Sequence, residues 1–158
     1  MDALKKLCGY LINTNTSIAL AESCTGGLLS AMLVSYPGIS SVYLCGTVAY
    51  SNQAKISRLG VKEEIINTYG AVSPECARAM ADGAKNTAGS IIALSTTGIA
   101  GPGGGSKAKP VGLVYVGISL PQGETAAYKL ELKGTREEIM HQAAQRAIEL
   151  LAEKLGVA

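Results

Sequence analysis

The sequence predicts an α/β fold: a single-domain, three-layer α/β/α sandwich around a mixed β-sheet, spanning residues 1–158. Three observations predict it. Short apolar runs alternate with segments of helical periodicity over the first two-thirds of the chain. Two alternating runs then flank Pro121-Gln122-Gly123-Glu124, which predicts an antiparallel hairpin and hence a mixed sheet. No internal repeat or long linker divides the 158 residues, a length that supports one full core.

Taken in order, Asp2–Asn13 places Leu4, Leu7, Cys8 and Leu11 on one helical face, with Asp2 as its cap. Ser17–Glu22 is a buried strand. Thr25 is placed to cap the next helix, which ends before Pro37-Gly38. Val42–Tyr50 is a second strand, followed by short helices over Asn52–Arg58 and Val61–Thr68, the latter closed by Gly70. Ser73-Pro74-Glu75 combines a cap, a proline at the first helical position and an acid in the first turn, and predicts a helix to about Thr87. Ser90–Thr96 is a third strand. Val111–Leu120 and Thr125–Leu132 form the hairpin. Thr135 and Glu138 are spaced as a capping box for a last helix whose inner face is Ile139, Ala143, Ala147, Leu150 and Leu151.

Composition narrows the function. Apolar residues are 47% and charged residues 16% of the chain, as in a compact globular protein and unlike a disordered one. There is no Phe or Trp, so the core is aliphatic. The net charge of +2, without a basic stripe, argues against nucleic acid as a partner. Four dispersed cysteines form no CxxC pair and no metal spacing with His141, which fits reduced thiols in the cytoplasm. No run reaches the roughly 18 apolar residues of a membrane span, and no signal peptide is visible.

The most informative segment is Ala21-Glu22-Ser23-Cys24-Thr25-Gly26-Gly27, at the junction of a strand and a helix. In open α/β sheets the crevice lies beyond the carboxyl ends of the strands, and Ser23, Tyr50 and Thr97 all fall just past predicted strand ends. Familiar motifs fail here. Counting a P-loop from Gly101, Ser106 replaces a required glycine and Ala108 the magnesium-binding hydroxyl. A Rossmann glycine pattern would need a helix after it, but a strand follows. The Gly-x-Ser-x-Gly elbow has Ala21 and Thr25 at its glycine positions. The lone His141 sits mid-helix, away from any zinc pattern.

A hydrolase without histidine or metal can activate a serine with a neutral lysine. Ser23 and Lys55 are the best such pair. Lys55 falls near the start of a short helix, where the helix dipole and burial both favour the neutral amine. The alternatives are a solvated lysine and a serine that satisfies a turn. Glu22 is either an orienter of Lys55 or a salt-bridge partner. Thr25, Gly26 and Gly27 either hold an anion through backbone N–H groups or simply cap a helix. Tyr50 either contacts substrate or is structural. Thr97 and Gly98 can supply oxyanion donors, and the run from Gly101 to Gly105 can let a ligand approach the backbone. Arg136, a cation in a first helical turn, either meets a ligand anion or pairs with Glu137 or Glu138. Lys107 and Lys109 read as solvated.

Together these segments resemble one family. Residues 21–27, Tyr50-Ser51-Asn52-Gln53-Ala54-Lys55, Gly70-Ala71-Val72-Ser73, Thr97-Gly98-Ile99-Ala100-Gly101-Pro102 and Lys109-Pro110-Val111-Gly112 are similar, in order, to the CinA C-terminal domain, the nicotinamide-nucleotide amidases. The domain that precedes it in longer CinA proteins is not seen, so the chain resembles the stand-alone form. The resemblance implies hydrolysis of nicotinamide mononucleotide to nicotinate mononucleotide and ammonia, in pyridine nucleotide salvage. It implies Ser23 as nucleophile, Lys55 as its base, Tyr50 in support, Thr97 and Gly98 at the reacting group, and Arg136 at the substrate. It also implies no metal, no cofactor and a homo-oligomer, dimer or larger. The chain departs from the family at Thr135, where Gly-Asp-Arg is usual, and at Met140, where arginine is frequent. The rival expectation is a non-catalytic nucleotide-binding regulatory module linked to competence or DNA damage.

Overall fold

The computed structural model describes residues 2–158. In chain order the elements are α1 (Asp2–Asn13), β1 (Ile18–Glu22), α2 (Leu28–Val34), a 3-10 turn (Ile39–Ser41), β2 (Tyr43–Val48), α3 (Asn52–Leu59), α4 (Glu63–Tyr69), α5 (Pro74–Ala88), β3 (Ile92–Gly98), β4 (Leu113–Ser119), β5 (Ala126–Glu131) and α6 (Arg136–Lys154). The sheet order is β2-β1-β3-β4-β5. Strands β2, β1 and β3 pair in parallel, β4 pairs antiparallel with β3, and β5 pairs antiparallel with β4. The mixed α/β/α sandwich predicted from the sequence is the observed architecture.

β1 shows why the layers form. All five of its residues are buried. Ile18 and Leu20 point into the core shared with α1, α2 and α6, while Ala19 and Ala21 face α5 on the other side. Alternation across a strand thus feeds two cores at once. The side facing α5 uses small residues because that helix lies close. A Cβ added at Gly117 of β4 would sit 2.2 Å from the Ala77 carbonyl oxygen.

Several local predictions hold. The Ser73 hydroxyl accepts from the Cys76 N–H at 3.1 Å, with Pro74 opening α5. Thr135 and Glu138 form the reciprocal capping box of α6. Three differ. Asp2 does not cap α1; it lies within the helix and pairs with Lys6 at 3.1 Å. β3 begins and ends two residues later than expected. Ser90 and Ile91 are tied up in the entry loop by Ile92 O and Ser17. At the other end, antiparallel pairing with β4 carries the strand through Thr97 and Gly98. Thr97 therefore lies inside β3, not beyond it. Finally, Gly27, with φ of 105°, occupies the cap position of α2, and no side chain at that position caps the helix. The reason lies in the site.

Candidate active site

The carboxyl ends of β1, β2 and β3 open onto a cleft of about 290 Å³, near the lower end for small-molecule sites. Its lining includes Ser23, Tyr50, Lys55, Thr97, Gly101 and Arg136. Ser23 follows directly on β1, and its N–H still bonds to Thr96 O at 3.0 Å. The nucleophile candidate therefore sits on the rigid sheet and not on a free loop.

Lys55 comes from α3, which Ser51 caps by accepting the Ala54 N–H at 3.0 Å. That start aims the fourth residue of α3 back under β1 and β2. Lys55 is only 1% exposed. Its Nζ lies 2.9 Å from Ser23 Oγ, 3.0 Å from Ala49 O and 3.1 Å from Tyr50 O. Among the described residues no carboxylate accepts from it. Burial holds its pKa below the usual lysine range. The two carbonyls take two N–H donors of the amine. In the neutral form the remaining direction, toward Ser23, carries the lone pair, which is the geometry a base needs.

Cys24 also lines the cleft, but burial pushes its thiol up to about 12. Burial thus disfavours the thiolate, the form in which a cysteine attacks.

Arg136, at the start of α6, bridges two walls of the cleft. Nη1 donates to Gly101 O at 2.7 Å and Nη2 to Tyr50 Oη at 2.9 Å. It does not pair with Glu138, which is held in the capping box. Thr97 Oγ1 donates to Ala71 O at 2.8 Å, fixing the loop ahead of α5. Gly98 is required by packing: a Cβ there would lie 2.7 Å from Leu113 O.

Thr25, Gly26 and Gly27 do not line the cleft. Thr25 is fully buried, its hydroxyl 2.6 Å from Glu22 Oε1 and 2.7 Å from Thr96 Oγ1. The N–H groups of Gly27, Leu29 and Ser30 point at the Glu22 carboxylate at 3.3, 2.8 and 3.0 Å. The anion at this helix start is the protein's own glutamate. Glu22 thus orients the turn and not Lys55.

Met140 packs beside Cys24, Val114 and Ile139. His141 is exposed on α6, with Nδ1 2.9 Å from Glu137 O. Lys109 is not free in solvent; it is half-buried and its Nζ bonds to Tyr69 O. Asn52, Ala71 and Val72 line the cleft and were given no role from the sequence, although each lies in a segment that carried the family resemblance. Among the described residues no group of three or more His, Cys, Asp or Glu is arranged to hold a metal ion. No helix among them is long and apolar enough to cross a membrane.

A family model described as the CinA C-terminal domain matches residues 2–155. A competence-damage inducible protein of Clostridium acetobutylicum is 51% identical over 149 residues, covering 94% of this chain and 36% of that protein. A namesake in Clostridium novyi is 52% identical over 145 residues, 92% of this chain and 35% of that protein. The chain thus spans about a third of the length of these curated relatives. Among solved structures, a competence/damage inducible protein of Agrobacterium tumefaciens superposes with a TM-score of 0.92 at 36% identity, over 97% of this chain and 95% of that one. One from Klebsiella pneumoniae gives 0.93 at 32% identity, over 98% and 95%.

Proposed function

The chain belongs to the CinA C-terminal domain family, and from that premise we propose that it hydrolyses the carboxamide of nicotinamide mononucleotide to nicotinate mononucleotide and ammonia, in pyridine nucleotide salvage. The observation that carries the proposal is the buried Lys55 amine, 2.9 Å from Ser23 Oγ and held below the usual lysine pKa. A lysine buried beside a serine hydroxyl, with no carboxylate accepting from it, has the properties of a general base.

The reaction runs in two halves. Ser23 Oγ attacks the carboxamide carbon as its proton passes to Lys55 Nζ. The Cys24 N–H follows the nucleophile and has no backbone acceptor in the turn; it is the donor assigned to the oxyanion. The tetrahedral adduct collapses, the C–N bond breaks, and Lys55 returns the proton to the departing nitrogen as ammonia. Water then attacks the Ser23 ester, again giving its proton to Lys55. Collapse releases the carboxylate and restores the Ser23 hydroxyl. Arg136 offers a cation for the substrate phosphate from the cleft wall, with Tyr50 beside it.

The test is incubation of the purified protein with nicotinamide mononucleotide and a chelator. Nicotinate mononucleotide and ammonia are expected in equal amounts, and none from Ser23→Ala. A folded wild-type protein that releases no ammonia overturns the proposal. Saturable nucleotide binding without turnover supports the regulatory-module reading in its place.

A further inference from the structure

The carboxylate one residue before Ser23 has no part in the chemistry so far described, yet it is among the most completely engaged side chains in the protein. Glu22 is 0% exposed. Its Oε1 accepts from Thr25 Oγ1 at 2.6 Å, Leu29 N–H at 2.8 Å and Gly27 N–H at 3.3 Å. Its Oε2 accepts from Ser30 N–H at 3.0 Å and Ser30 Oγ at 2.7 Å. Tyr43 Oη extends the chain to Ser30 Oγ at 2.9 Å, and Thr96 Oγ1 extends it from Thr25 at 2.7 Å. Every neighbour within reach of the carboxylate can donate. Three of them are backbone N–H groups that cannot reverse.

The main chain of the same residue works on the other half of the dyad. Glu22 O accepts from Ala49 N–H at 2.8 Å, and Ala49 O is one of the two carbonyls that hold Lys55 Nζ. Ser23 is thus fixed on its N-terminal side by the sheet. On its C-terminal side it is fixed by a turn wrapped around the Glu22 carboxylate.

We propose that Glu22 is a positioning residue: its buried carboxylate locks residues 25–30 around itself, holding Ser23 Oγ at Lys55 and excluding a substrate anion from the start of α2. This rests on the Ser23–Lys55 reading above. The carboxylate matters as an anion and not only as volume. An amide in its place would point an NH₂ at the Ser30 N–H or at the Leu29 N–H, and at least one backbone donor would be left without a partner. The turn would then relax, and a shift of about 1 Å at the nucleophile is enough to lower a rate on the order of 100-fold.

The experiment compares wild type, Glu22→Gln and Thr25→Val in ammonia release from nicotinamide mononucleotide, with rates divided by the folded fraction from circular dichroism. Glu22→Gln is expected to lower kcat at least 10-fold with KM within about 2-fold, because the substrate-binding wall is untouched. Thr25→Val, which removes one donor of five, is expected to move kcat in the same direction by less. A Glu22→Gln protein whose kcat per folded molecule matches wild type overturns the proposal, since a purely structural glutamate changes only the folded fraction. The same variants are labelled with a small fluorophosphonate and the Ser23 peptide is followed by mass spectrometry. If wild type releases no ammonia but its Ser23 is labelled, the substrate assignment fails alone, and slower labelling of Glu22→Gln still supports the positioning role. Equal labelling of the two overturns it. If wild type neither turns over nor labels, Ser23 is no nucleophile and both proposals fall.

Discussion

Replacing Lys55 by methionine keeps a long apolar stem in the same buried slot and deletes the amine. Two consequences separate. On the proposed mechanism turnover loses its general base, and such groups contribute roughly 100- to 10,000-fold; kcat should fall by at least that range. Stability responds differently. Ala49 O and Tyr50 O lose their donor, and an unpaired buried acceptor costs about 1–3 kcal/mol. Tyr50 is exposed and borders the open cleft, so water can replace that bond. Against this, the variant no longer buries an amine. The decisive quantity is the pH dependence of the difference. The Lys55 pKa is lowered in the native state by burial. Between that lowered value and the ordinary 10.5 the unfolded chain binds the extra proton, so wild-type stability rises with pH through this window. Each unit of lowering corresponds to about 1.4 kcal/mol. Lys55→Met lacks the effect, and subtraction cancels the other groups. Urea unfolding of both proteins at neutral and alkaline pH should show wild type gaining on the variant as pH rises. A wild-type-minus-variant stability that stays level or falls as pH rises, or a variant that keeps turnover within 10-fold, would refute the assignment of a neutral buried base.

Other outcomes follow from the same geometry. Gly98→Ala places a Cβ 2.6 Å from Val114 Cγ2 and 2.7 Å from Leu113 O; overpacking of this kind costs about 1–3 kcal/mol, read as a lower urea midpoint together with reduced turnover. Thr135→Ala removes half of the α6 capping box and should cost about 1 kcal/mol in thermal or urea unfolding. Arg136→Gln removes the bridge to Tyr50 and Gly101 and should raise KM for the nucleotide more than it lowers kcat. Iodoacetamide at neutral pH should alkylate exposed Cys45 and spare Cys24, whose thiol is pushed up to about 12 by burial; peptide mapping reads this directly.

Local signals carried much of the fold into the sequence. The capping box at Thr135, the Ser73-Pro74 helix start and the turn between β4 and β5 each depend on neighbours within a few residues. The pairing of Ser23 with Lys55 was legible because a strand end and a helix start both point at the crevice. What escaped depends on contacts distant in sequence or on a side chain folding back. Thr25 looked like a cap because a hydroxyl before a helix normally is one. Glu22 instead reaches forward along its own chain and holds the N–H groups of Leu29 and Ser30 with its carboxylate. The end of β3 moved because its partner is β4, more than a dozen residues away. Arg136 found Tyr50, 86 residues distant, once Glu138 was committed to the cap.

The central claim, that a neutral Lys55 activates Ser23, is tested most directly by the pH dependence of kcat/KM for ammonia release from nicotinamide mononucleotide. A neutral Lys55 base gives a rate that rises with pH along a single-proton limb whose midpoint lies below the ordinary lysine value of 10.5. A rate that falls as pH rises over the same range would mean that the ammonium form is the active one, and would contradict it.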